Sequence, residues 1–292
     1  TIASTSDSVE LTNEIGEYGT VSLNDNDWTT VNTDLSYDNM VVIVSPEYSV
    51  SALTDGRTPR VRNKGTNSFE VKVDDHDGIT GSTVTDVDYI VMEAGEWVMD
   101  DGGTGITILA ATESGVTETI SQAYATTNNG RTVPVSTSFG SNPLAFATIV
   151  TDADTTWVDA HLDGGSSNTE WTGGSIRLAL GKHLSGLSHS GGEDIDYILM
   201  DQGSGSNNGV VFDTARAFDD VEDSVSNAGH NFTLSGFSSA PAVTILQNNS
   251  EGGGDGSSAL KDLSGTNSNT NLFASVLAVG ASANAHGGDE TV

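Results

Sequence analysis

The residues in this sequence most able to do chemistry are its carboxylates: Asp75 with Asp77, Asp86 with Asp88, and Glu193 with Asp194 and Asp196. Oxygen donors this closely spaced, beside Gly and Thr, suit Ca2+, which draws on loop carboxylates and backbone carbonyls. Asp25/Asp27, Asp74, Asp152/Asp154 and Asp219/Asp220/Asp223 are of the same kind. None follows the EF-hand pattern with its central Gly and closing Glu. In a chain with 41 Asp+Glu against 10 Lys+Arg, solvated acidic surface also accounts for such clusters. Trp157 and Trp171 form a second candidate set. Each lies in a Gly/Ser/Asp/Asn-rich stretch, where an exposed indole face can stack on a sugar.

Catalysis finds less support. His189 sits between Ser188 and Ser190, but a nucleophile and its base need a convergent third group, which neighbours on a Gly/Ser loop do not supply. A single His beside carboxylates falls short of a transition-metal set. The Walker glycine loop, the dinucleotide fingerprint and the His-Glu-x-x-His motif are all absent from the sequence. The expectation is therefore no enzyme and no catalytic residues, with Ca2+ the one cofactor to consider.

A formal net charge of −31 argues against nucleic acid, because phosphate binding needs clustered Lys and Arg. Anionic membranes are disfavoured for the same reason, and no apolar run approaches the ~18 residues of a membrane span. Such charge keeps a protein soluble but calls for cations to screen repulsion at close range. A hypersaline medium or an exterior with Ca2+ bound between carboxylates meets that need. The sequence has no Cys, so neither disulfides nor thiol chemistry enter. It opens at Thr1 without an initiator Met, charged n-region or apolar h-region, which suggests processing or an excerpt of a longer array.

The elements that must position these residues emerge when the sequence is compared with itself. Val87-Asp88-Tyr89-Ile90-Val91-Met92-Glu93-Ala94-Gly95 recurs 108 positions on, from 87 to 195, as Ile195-Asp196-Tyr197-Ile198-Leu199-Met200-Asp201-Gln202-Gly203. Upstream of each lies a period-two strand, Phe69/Val71/Val73 and then Ile176/Leu178/Leu180, with Phe273 marking a third. Earlier still come three short apolar strands, Met40-Val41-Val42-Ile43, Leu144-Ala145-Phe146-Ala147 and Ala242-Val243-Thr244-Ile245, the last two entered through Pro143 and Pro241. Residues 286–292 align with 189–195, so copy three stops where the others enter Asp-Tyr-Ile, and Thr1-Ile2-Ala3-Ser4 resembles Thr107-Ile108-Leu109-Ala110. Turn signals such as Asn128-Asn129-Gly130 and Gly252-Gly253-Gly254 separate the strands, and no helical apolar period is sustained. The pattern predicts an all-β chain of three tandem antiparallel β-sandwich repeats at 1–105, 106–209 and 210–292, the last lacking its final strand.

Within the first repeat, Arg60-Val61-Arg62-Asn63-Lys64-Gly65-Thr66-Asn67-Ser68-Phe69-Glu70-Val71, followed by Tyr89-Ile90 and Glu93-Ala94-Gly95-Glu96-Trp97, resembles the H-type lectin module. The resemblance implies a secreted, six-stranded, Ig-like sandwich; that family often trimerises and binds N-acetylgalactosamine-like sugars. Copies two and three lack the Arg-Val-Arg-Asn stretch, and copy two has Gly205 near the place of Trp97, so no sugar site is carried over.

Together these features predict an extracellular or cell-surface structural or adhesive repeat protein. It would be a subunit or segment of a filament, pilus-like fibre or sheath, built by β-strand pairing or tandem domains. The alternative is a carbohydrate-binding, lectin-like adhesin or a viral receptor-binding fibre. The expected partner is the protein itself, head to tail, or covalently continuing repeats, with surface glycans second. The subunit contact is expected at Ile2, Val9, Leu11 and Val292, because an unpaired edge in copy three would accept a neighbour's N-terminal strand.

Overall fold

The computed structural model describes residues 15–23, 27–48, 57–75, 84–99, 105–121, 130–140, 143–154, 158–162, 174–182, 189–207, 210–214, 230–247, 258–263 and 271–278. Among these residues every regular element is a strand, so the all-β expectation holds. β1 (Gly16–Ser22), β2 (Thr29–Asn32), β3 (Met40–Tyr48), β4 (Arg57–Arg62), β5 (Ser68–Asp75) and β6 (Val84–Glu93) pair in the orders β1-β6-β3 and β2-β5-β4, all antiparallel. We call this set the first unit.

β7 (Gly95–Met99) leads into a second unit of the same order. β8 (Ile106–Val116), β14 (Glu193–Met200) and β11 (Leu144–Ile149) form one sheet, with β7 on the outer edge of β8. β10 (Arg131–Pro134), β13 (Ser175–Lys182) and β12 (Asp159–Leu162) form the other, and β9 (Thr119–Ser121) joins β13 in parallel. β15 (Gly203–Asn207) and β16 (Val210–Thr214) form a hairpin, while β17 (His230–Thr233), β19 (Asn271–Ala278) and β18 (Ser258–Leu263) repeat the β2-β5-β4 order. β18 also runs parallel to the end of β3 over two residues.

Period-two alternation explains the two unit cores. Val31, Val61, Phe69, Val71 and Val73 of one sheet meet Val42, Val44, Val87 and Val91 of the other. In the second unit Val133, Leu162, Ile176, Leu178 and Leu180 meet Ala145, Ala147, Ile195, Tyr197 and Leu199. Each side chain points to the face its parity assigns, so a half-buried sheet is built by simple alternation. A third cluster has a different origin. It gathers the opposite faces of the β6 and β14 sheets, through Val41, Ile43, Met92, Ile108, Ala110 and Ile198, with Phe146, Phe212 and Ile245 against them.

Strand pairing corrects three details of the internal alignment. β1 pairs with β6 as β8 pairs with β14, so residues 16–22, rather than Thr1-Ile2-Ala3-Ser4, hold the described place of β8 in the first unit. Leu272, not Phe273, lies opposite Phe232, as Phe69 lies opposite Val31 and Ile176 opposite Val133. Leu144 pairs with Met200 and Val41 with Met92, so Val41, not Met40, is the counterpart of Leu144.

Candidate assembly interface

An edge strand carries unpaired N–H groups that must find acceptors when buried. β3 is bonded to β6 on one side. On its other side the Val42 N–H donates to Asp196 Oδ2 (2.7 Å) and the Val44 N–H to Thr148 Oγ1 (3.1 Å), both in the second unit. Residues 243–247 treat the first unit in the same way. There the Thr244 N–H donates to Asp88 Oδ2 (2.7 Å) and the Leu246 N–H to Ser45 Oγ (3.3 Å).

The acceptors are equivalent by register. Asp88 lies between Ser45 and Thr20 across its sheet, and Asp196 lies between Thr148 and Thr112. Thr20 and Thr112 donate their hydroxyls to Oδ1 of these aspartates at 2.6 and 2.5 Å. A further contact joins the second unit to residues 243–247: the Ala147 N–H, counterpart of Val44, donates to Gln247 Oε1 (2.9 Å). The contacts thus run from the first unit to the second, from the second to residues 243–247, and from those residues back to the first. Ile43, Phe146 and Ile245, each next to one of these donors, all belong to the third cluster.

Cations mark the junction between the first and second units. Lys64 Nζ lies 2.6 and 2.7 Å from the Asp196 oxygens and donates to Met40 O at 2.9 Å. Asn63 takes a left-handed φ of 51°, which Asn tolerates better than most residues, as the chain turns into Lys64. Buried Arg60 donates to Asp154 O (3.0 Å) and Asp152 Oδ1 (3.4 Å), with buried Glu193 3.9 Å away. Arg62 reaches Glu70 (2.7 Å) and Asp152 (3.5 Å) while lying over the Trp28 ring. The stretch that carries the lectin resemblance therefore binds the second unit, and Trp28 stacks on a guanidinium.

Both junction aspartates sit above the ordinary carboxylate range because they are buried. Lys64, Thr112 and the Val42 N–H oppose the rise at Asp196. At Asp88 only Thr20 and the Thr244 N–H oppose it, and Asp86 adds to it. Among the described residues no cation pairs with Asp88.

The remaining acidic candidates fall in separate places. Asp86 accepts from Ser22 Oγ (2.5 Å), and Asp194 accepts from the Gly115 N–H (2.8 Å). Glu193 accepts from the Thr151 hydroxyl and from the Ala153 N–H (3.3 Å), and its other oxygen lies 3.5 Å from His189 Nε2. Among the described residues no three His, Cys, Asp or Glu side chains gather as a metal-binding group. Asp75 pairs through its backbone with Arg57. Asp77, Trp157, Trp171, Ile2, Val9, Leu11 and Val292 lie outside the described residues.

Sequence reasoning missed Thr20, Ser45, Lys64, Thr112, Thr148 and Gln247. In so Ser/Thr-rich a chain a single hydroxyl carries no signal until strand register places it beside an aspartate. No protein family, curated protein or solved structure matches the chain.

Proposed function

We propose that this protein is an extracellular structural or adhesive block, without catalytic activity, that forms a subunit or segment of a surface fibre, filament or sheath. In this reading three β-sandwich repeats of one chain close on one another about a pseudo-threefold axis. The observation that carries it is the cyclic set of edge contacts, Val44 to Thr148, Ala147 to Gln247 and Leu246 to Ser45. Head-to-tail contacts that close in this way make a ring rather than an open polymer. Linear growth then falls to strand pairing at other edges or to further repeats.

The same closure favours the second reading, a lectin-like adhesin or viral receptor-binding fibre, since the family the sequence resembles often trimerises. Electron microscopy of the native material separates the two. Fibres or sheaths with three-lobed blocks are expected; discrete particles that bind on a glycan array would favour the adhesin. Small-angle scattering of the chain tests the ring itself, and an envelope of three lobes strung in a line would sink it.

A further inference from the structure

An amine and a carboxyl from different units meet at the first junction. Lys64 follows β4 of the first unit, and Asp196 lies on β14, the middle strand of the second, 132 residues away. Lys64 Nζ lies 2.6 Å from Asp196 Oδ1 and 2.7 Å from Oδ2. An atom so nearly equidistant from both oxygens sits close to the plane that bisects the carboxylate, and that plane contains Cγ. Nζ also donates to Met40 O (2.9 Å), which fixes the end of a side chain that otherwise has many rotamers. The Asp196 side chain is 0 % exposed and that of Lys64 19 %, so little water competes at the contact.

The surroundings suit more than an ion pair. Burial raises Asp196 above the ordinary carboxylate range, so passing one proton from Nζ to the carboxylate, which leaves a neutral amine and a neutral acid, costs less here than in water. A neutral lysine amine is a nucleophile. Both carboxyl oxygens already face fixed donors, one from each unit: the Val42 N–H on Oδ2 (2.7 Å) and the Thr112 hydroxyl on Oδ1 (2.5 Å). Donors set in place before reaction stabilise the charge that develops when a carbonyl carbon is attacked. Holding the two groups together is worth an effective concentration of about 10⁵–10⁸ M in well-oriented cases, enough to drive a condensation that free amines and acids in water do not make.

We propose that Lys64 and Asp196 form a self-modification site, at which Nζ and Cγ condense to an amide that joins the first and second units covalently. One ammonium proton passes to Oδ1. The Nζ lone pair then adds to Cγ, and the C=O pair moves onto Oδ2, where the Val42 N–H holds it. A second proton passes from Nζ to Oδ1, the Cγ–Oδ1 bond breaks with its electron pair, and Oδ1 leaves as water beside the Thr112 hydroxyl. The Oδ2 pair restores the carbonyl. Ammonium and carboxylate thus become one amide and one water, with no oxidant, reductant or activating group. The product keeps the existing bonds: Oδ2 accepts from Val42, and the remaining Nζ–H donates to Met40 O. This site depends only on the Lys64–Asp196 contact, so it stands apart from the ring and fibre readings.

The test is the intact mass of the full chain, folded near neutral pH and then denatured, with peptide mapping. The expected mass is one water below that of the sequence, and the loss should lie on a branched peptide that joins Lys64 to Asp196. Branching matters because Asp-Gly steps such as Asp163-Gly164 can lose water to a succinimide, which leaves the peptide linear. Lys64→Arg keeps a cation at the junction but removes the amine, and should show the full mass. The wild-type mass and map are decisive even if that variant fails to fold. Full mass in the folded wild type, a loss carried only by linear peptides, or the same loss in Lys64→Arg overturns the proposal.

Discussion

Two junctions of the molecule use the same hydrogen bonds and differ in charge. At Asp196 a lysine spans both carboxylate oxygens, and Arg60 and Arg62 stand beside it on the same surface. At Asp88, among the described residues, the carboxylate meets a hydroxyl and an amide, with Asp86 nearby. Three of the 10 Lys+Arg in the sequence therefore hold one junction. Hydrogen-bond direction specifies the fit at both places, and burial raises both carboxylates; at Asp196 a lysine opposes that rise, while at Asp88 only a hydroxyl and an amide do so among the described residues. A buried carboxylate paired with a cation comes to depend on it.

Removing that cation is the strongest way to break the comparison. Lys64→Met leaves Asp196 buried without its counter-charge and should destabilise the protein by about 3–5 kcal/mol in urea unfolding. Asp88→Asn, which removes a charge that no described cation balances, should shift stability by no more than about 1 kcal/mol. Equal losses from the two variants would show that the lysine does not distinguish the junctions.

The shared hydrogen bonds predict a smaller, matched effect. Thr20→Val and Thr112→Val each remove a hydroxyl donor from a buried carboxylate and should each cost about 1–3 kcal/mol. A loss at one position only would mean that the two junctions are not equivalent in geometry.

Acid should sharpen the contrast further. Burial pushes Asp159, on β12, from 3.8 up to about 7, and it raises Asp88 in the same direction. The folded state then binds more protons than the unfolded chain between the unfolded value and the raised one. The resulting stability is complete below the unfolded value and is lost as pH rises through the folded value. Unfolding free energy should therefore climb as pH falls from about 8 to about 5, and Asp159→Asn should flatten the climb. A wild-type profile that falls over this range would contradict the assignment.

The smallest effect belongs to Arg62, whose contact with Asp152 is one-third exposed at both side chains. Arg62→Gln should cost under about 1 kcal/mol at low salt and less still in molar NaCl. Melting of the unaltered protein should rise in molar NaCl, because screening relieves repulsion within a chain of net charge −31. A salt-independent loss in the Arg62 variant would point instead to its stacking on Trp28.

Strand identity was legible in the sequence wherever period-two alternation or an internal copy marked it, as at Phe69/Val71/Val73 and at the two Asp-Tyr-Ile strands. Both signals are local, because parity assigns a face from neighbours a few residues away. Register was less legible. A single inserted residue ahead of Met40 shifted one counterpart, and in β19 only pairing with Phe232 separates Leu272 from Phe273. A one-residue slip reverses which face each side chain occupies, yet it leaves composition and spacing almost unchanged.

The carboxylates show the limit most clearly. Their clustering by type was visible in the chain order, and it suggested a cation. Folding brings Asp88 and Asp196 against amides 156 and 154 residues away. Asp86 and Asp88 sit two apart in sequence, but Asp86 bonds Ser22 within its own sheet while Asp88 also accepts from the distant Thr244 N–H. Which edge lies above a given aspartate depends on how the repeats pack on one another. The linear order of residues carries the repeats and their alternation; the donor that meets each buried charge is set by contacts through space, where an unpaired N–H must find an acceptor.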